Sequence, residues 1–86
     1  MYTVYIIYSE KLGKYYIGFS SNLSERLRKH NSNSKGFSAK GRPWTLVYSE
    51  VFEFKSEAMR REKQLKSWKN RDRIDALIKA GLEHPD

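Results

Sequence analysis

Both alternate sets of the first segment, Tyr2/Val4/Ile6/Tyr8 and Thr3/Tyr5/Ile7, are largely apolar. A strand with apolar residues on both faces predicts a central position in its sheet, covered from both sides. Ser9 to Gly13 reads as a turn, with Gly13 able to take a positive φ, and Lys14 to Phe19 as the return strand of a hairpin. A helix follows. Asn22 is a suitable N-cap, Glu25 three residues on completes a capping-box-like pair, and Leu23, Leu27 and His30 fall on one stripe.

Asn31 to Pro43 has little periodicity and is rich in Ser, Gly and Lys, so it reads as a loop, long enough to suggest a role. Trp44 to Phe52 predicts a third strand. Ser56 is then expected to cap a second helix with Ala58 and Leu65 inward. Trp68-Lys69-Asn70 breaks that pattern. Asn70 is expected to cap a third helix with Ile74, Leu77 and Ile78 inward and Gly81 at its end. The order is ββαβαα, an α+β domain over residues 1–82 with 83–86 as a frayed tail.

With 86 residues the chain holds one domain. Lys plus Arg number 17 against 10 acids, a net charge of +7. Such a field attracts polyanions, and phosphate contacts supply most non-specific affinity for nucleic acid. A merely soluble basic surface is the plainer reading. No helix pairs a broad apolar face with a basic one, which argues against a membrane surface. There is no Cys, which excludes disulfides and thiolate chemistry, and the presence of only two His argues against a multi-His metal site. The composition suits a reducing cytoplasm, and the N-terminus reads as a strand with no signal segment ahead of it.

Two polar placements depart from the core pattern. At about 100° per residue, Glu62 lies within about 60° of both Ala58 and Leu65 on the inward stripe. A carboxylate there is costly unless it is paired or binds a cation. It either pairs with a nearby Arg, lies at the edge of the stripe, or serves as a ligand. On the first helix, Arg26 and His30 are neighbours one turn apart on the Leu23/Leu27 side. Individually they read as a solvated Arg and a core His; with Glu62 they could line one pocket.

Tyr16-Ile17-Gly18, with Tyr5 in Thr3-Val4-Tyr5 11 residues before Tyr16, resembles the GIY-YIG endonuclease superfamily. Arg26 stands 10 residues after Tyr16, His30 follows by 4, and Asn31 comes next. Glu62 sits in an Ala-x-x-x-Glu-x-x-Leu-Lys setting from Ala58 to Lys66. The constellation spans nearly the whole chain and is most similar to small stand-alone bacterial members, related to the N-terminal nuclease domain of the repair protein UvrC. Thr3 replaces the first motif glycine, and the Pro-x-Tyr-Asn motif of UvrC is absent, with Ser67-Trp68-Lys69-Asn70-Arg71 in that region.

The resemblance implies a three-stranded antiparallel sheet with the first strand central, flanked by helices. It implies hydrolysis of nucleic-acid phosphodiesters, DNA before RNA, with one Mg²⁺ or Mn²⁺ ion held by Glu62. Arg26 would stabilise the scissile phosphate, and Tyr5, with Tyr16 beside it, would position or deprotonate the attacking water. His30 would relay the proton. A phenol has an ordinary pKa of about 10, so it needs a nearby cation to act as a base, and Lys14 and the metal are candidates. Gly18 and Asn31 complete the motif as structural residues.

Lys14, Arg28, Lys29, Lys40, Arg42, Arg61 and Lys66 are expected to grip backbone phosphates, which position without specifying sequence. Phe37 could stack on an exposed base; Trp44 is expected in the core. The leading reading is a structure-selective or weakly selective nuclease in DNA repair or processing. The alternatives are a non-catalytic nucleic-acid-binding module with the same fold and an accessory protein that recognises other proteins. A monomer or weak homo-oligomer aided by a protein partner fits a domain of this size.

Overall fold

The computed structural model describes residues 1–32 and 37–83. The chain forms β1 (Tyr2–Ser9), β2 (Lys14–Ser20), α1 (Leu23–Ser32), α2 (Phe37–Lys40), β3 (Trp44–Phe52), α3 (Lys55–Ser67) and α4 (Arg71–Glu83). The three strands form one antiparallel sheet in the order β2-β1-β3. Apart from the single turn of α2, which lies inside the expected loop, this is the anticipated ββαβαα order with β1 central.

The two-sided apolar pattern of β1 has its explanation in two core layers. Val4 and Ile6 pack with Ala58 and Leu65 of α3 and Ile74 of α4 on one face. Tyr5 and Ile7 pack on the other face with Trp44 and with Leu23 and Leu27 of α1. The sheet is therefore covered by α1 on one side and by α3 and α4 on the other, and β2 is left as an edge strand. No described helix is long and apolar enough to cross a membrane.

Local chemistry accounts for most of the element ends. Gly13 takes φ +64° in the hairpin turn, and its N–H donates to the carbonyl of Ser9 at 2.8 Å. The side-chain oxygen of Asn22 accepts from the backbone N–H of Glu25 at 3.1 Å and caps α1. Asn70 does the same for Asp72 at 2.8 Å at the start of α4.

Two expected ends are corrected. Ser56 does not cap α3: the helix starts at Lys55 with Phe54 as N-cap, and no side chain makes the cap bond. The Phe54 carbonyl already accepts from the N–H groups of Glu57 and Ala58, so Ser56 falls inside the first turn. Gly81 does not end α4, which continues to Glu83. A Cβ on Gly81 would stand 3.1 Å from the Tyr48 ring, so this glycine admits a close approach of α4 to β3. The Phe37 side chain, Lys35 and residues 84–86 of the expected tail lie outside the described residues.

Candidate active site

Tyr5 on β1 stands directly opposite Gly18 on β2 in the sheet register. The two therefore share a face, and the Tyr5 ring lies across Gly18: a Cβ added at Gly18 would stand 2.6 Å from the phenol oxygen. Period-two alternation puts Tyr16 and Ser20 on the same side of β2. This packing gives the motif glycine a concrete role, because any side chain there would displace the tyrosine.

Tyr5, Tyr16, Gly18, Arg26, Glu62 and Lys66 line a single cleft, together with Phe19 and Ser20. It draws side chains from α1 and α3, which cover opposite faces of the sheet, because β2 is an edge strand that both helices can reach past. Four of the five residues expected to do chemistry thus border one space. The fifth, His30, is buried behind it, with Nε2 3.1 Å from the Tyr5 hydroxyl. The His30 ring also meets Tyr16 edge-on, with centroids 4.7 Å apart.

Electrostatics in the cleft centre on Arg26. Its guanidinium lies beside the Tyr5 phenol and, less closely, that of Tyr16, and their oxygens push its pKa above the ordinary arginine value. Burial raises the Tyr5 phenol above its usual pKa, and Arg26 opposes that shift. Tyr16 and Glu62 are close enough to raise it further. His30 is held below its usual pKa by burial and by the positive charge of Arg26, which keeps it neutral at neutral pH.

Lys14 does not have the expected part in tuning Tyr5. It pairs with Ser9 at the hairpin end, four residues along β1 from Tyr5 and about 13 Å away. Arg26 is the cation beside the phenol instead.

Glu62 is half-buried between α3 and the cleft and pairs with Lys66 at 3.3 Å, one turn on. The partner that periodicity suggested was an arginine; it is this lysine, whose side chain is largely in solvent. Glu62 is the one carboxylate lining the cleft among the described residues. Among the described residues no group of three or more His, Asp or Glu is placed to cage an ion. A hard cation that keeps most of its waters and takes one carboxylate plus phosphate oxygens fits that donor set; a fully protein-caged metal does not.

Asn31 acts as a brace. Its side-chain oxygen accepts from the Trp44 N–H at 2.6 Å and its side-chain nitrogen donates to the Trp44 carbonyl at 3.1 Å. The end of α1, and with it His30, is thereby tied to the start of β3. Trp44 is in the core, as expected.

The expected phosphate-gripping residues differ in their surroundings. Lys14, Lys29, Lys40 and Arg42 are exposed, and Arg28 is exposed but paired with Glu25 at 2.6 Å. Arg61 is engaged inside the fold. Its guanidinium donates to Glu50 from both Nε and Nη2, at 3.0 Å each, and to Gln64 at 2.8 Å. Phe19 and Ser20 were not singled out in the sequence, although Ser20 lies two residues beyond Gly18 on the same face.

Comparison with known proteins gives the family. Residues 1–75 match the GIY-YIG catalytic domain. A UPF0213 protein of Halobacterium salinarum is 40% identical over 67 residues, 77% of this chain and 86% of that protein. A UPF0213 protein of Staphylococcus haemolyticus is 36% identical over 63 residues, 72% of this chain and 77% of that protein. The solution NMR structure of a UPF0213 protein from Bacillus halodurans is similar at a TM-score of 0.56 and 32% identity, covering 90% of this chain and 83% of that one.

Proposed function

This chain belongs to the GIY-YIG catalytic domain family, and on that premise we propose that it is a metal-assisted endonuclease acting on nucleic acid, DNA before RNA, in repair or processing. The observation that carries the reading is the meeting of Tyr5, Tyr16, Arg26 and Glu62 in one cleft with His30 hydrogen-bonded to Tyr5. Those residues come from four elements, and ordinary core packing needs none of their polar ends.

Glu62 would hold the divalent ion, Mg²⁺ or Mn²⁺, which when bound supplies Lewis-acid stabilisation of the phosphate and the leaving oxygen. Lys66 can yield the carboxylate, because its own side chain is about half exposed and water can take over its ammonium group. Arg26 binds the scissile phosphate, and its planar fork suits two phosphate oxygens at once. Tyr5 and Tyr16 orient the attacking water. As Tyr5 takes a proton from that water, neutral His30 accepts the phenolic proton at Nε2. The raised pKa of the Tyr5 phenol before substrate binds favours this relay over a standing phenolate.

The domain presents basic residues around the cleft, and phosphate contacts position a nucleic acid without specifying its sequence, which supports selectivity by nucleic-acid shape. The Glu62–Lys66 pair favours one second reading, in which the lysine occupies the carboxylate permanently and the chain is a non-catalytic nucleic-acid-binding module.

Labelled single-stranded, duplex and branched DNA and RNA, incubated with Mg²⁺, Mn²⁺ or EDTA, separate the two. Metal-dependent cutting by the wild-type chain, lost in Glu62→Ala and Arg26→Ala, is the expected result and names the substrate class. Salt-sensitive binding without cutting by folded wild-type protein would establish the binding module instead.

A further inference from the structure

A second pocket of about 460 Å³ opens beside the cleft, between the β2 edge and the junction of α3 with α4. Its floor is apolar, formed by Ile17, Leu65 and Ile74, and Trp68 forms one wall. Lys14 and Lys69 are among its lining residues, and none of the described lining residues is acidic. Tyr16 and Lys66 border both this pocket and the cleft, so the two are neighbours.

The surroundings fix its aromatic wall. The Arg73 guanidinium lies over the Trp68 ring, 4.2 Å from its centroid, and that of Arg61 also lies over it at 5.7 Å. Arg71 closes the end of the pocket: it donates to the carbonyl of Gly13 at 2.8 Å and lies over the Tyr15 ring. Lys14 and Lys69, by contrast, have no ion-pair partner among the described residues. Two exposed lysines thus belong to the lining of an apolar pocket that also includes Trp68.

We propose that this pocket takes an unpaired base of a single strand, stacked on Trp68, with neighbouring phosphates on Lys14 and Lys69. Single-strand binding sites combine these two elements, a basic rim that follows the backbone and an aromatic surface on which bases stack. A base still paired in a duplex cannot enter a concavity of this kind. The placement of that base next to a scissile phosphate rests on the nuclease reading; its capture does not. The pocket directs the adjoining cleft to nucleic acid with an unpaired flank.

The chain has two tryptophans. Trp44 is 3% exposed in the core, so Trp68 is the indole that a ligand in this pocket would reach. The full chain carrying Glu62→Gln is titrated in EDTA with oligo-dT, oligo-rU and a blunt DNA duplex of equal length. Tryptophan fluorescence and the anisotropy of labelled strands are followed. Either single strand should quench the fluorescence, and the better one names the preferred sugar.

Trp68→Ala should weaken single-strand binding at least about fivefold. Because Trp68 also packs on the core, a second variant, Lys14→Ala/Lys69→Ala, changes only exposed side chains. It should lower the slope of log affinity against log salt by about 1.4, the loss of two single-strand phosphate contacts. Unchanged single-strand affinity and salt slope in the lysine variant, or equal quenching by the duplex, would overturn the proposal. Quenching in a protein that never cuts would overturn the nuclease reading and leave the pocket standing. Cutting by wild type without quenching would do the reverse.

Discussion

The phenol of Tyr5 occupies the space where a side chain at Gly18 would be, 2.6 Å from the position of a Cβ. Tyr5 is buried and its hydroxyl is held by His30, so the ring cannot step aside without breaking that contact. Gly18→Ala should therefore act on the tyrosine. We expect a stability loss of about 1–3 kcal/mol from overpacking. The cleavage rate should fall on the order of 100-fold, the usual cost of misplacing a reacting group by about 1 Å. Thermal unfolding and single-turnover cleavage of the same preparation check both effects.

Arg61 gives a prediction of the opposite kind. Its donors are taken by Glu50 and Gln64, and both members of the Arg61–Glu50 pair are only about one-fifth exposed. Arg61→Ala should cost about 1.5–3 kcal/mol of stability, the range for hydrogen bonds to charged groups. The salt dependence of nucleic-acid binding should stay the same, since no phosphate contact is lost. Urea unfolding and binding at several salt concentrations separate the two effects.

That contrast shows where the sequence was readable. The central place of β1 followed from its two apolar faces, and the caps at Asn22 and Asn70 from residues adjacent to their helices. The spacing from Tyr5 through Tyr16 and Arg26 to His30 identified side chains that prove to be neighbours. Features that depend on distant partners were not legible. Arg61 looked like one more surface cation until Glu50, eleven residues earlier on β3, came alongside. Gly81 looked like a helix stop because Tyr48, which it approaches, lies on another element. Glu62 was recognisable as out of place on its stripe, but its sharing of a cleft with Arg26 depends on α1 and α3 both reaching the free edge of β2.

The Tyr5 phenol in the cleft and His30 behind it predict a pH response at each end of the scale. His30 has a lowered pKa in the fold, from burial and then from Arg26, so below about 6.5 the unfolded chain binds more protons than the folded one. Stability should fall as pH drops through 6.5 toward the folded value, and cleavage should decline with it as the ring protonates. Tyr5 has a raised pKa, chiefly from burial, so its contribution should be lost as pH rises above about 10. Urea midpoints across pH for wild type and His30→Gln check the acid limb, where the variant should show a flatter profile. Tyr5→Phe should flatten the alkaline limb.

Cleavage of a labelled branched DNA by wild type and by Glu62→Gln, each in Mg²⁺ and in EDTA, tests the central claim most directly. Glutamine keeps the shape of the side chain and removes the charge that faces the cleft. Wild type should cut only with the metal, and Glu62→Gln should be slower by about 100-fold or more, about 3 kcal/mol of transition-state stabilisation. Cutting that persists in EDTA, or that Glu62→Gln performs at the wild-type rate, would contradict the account.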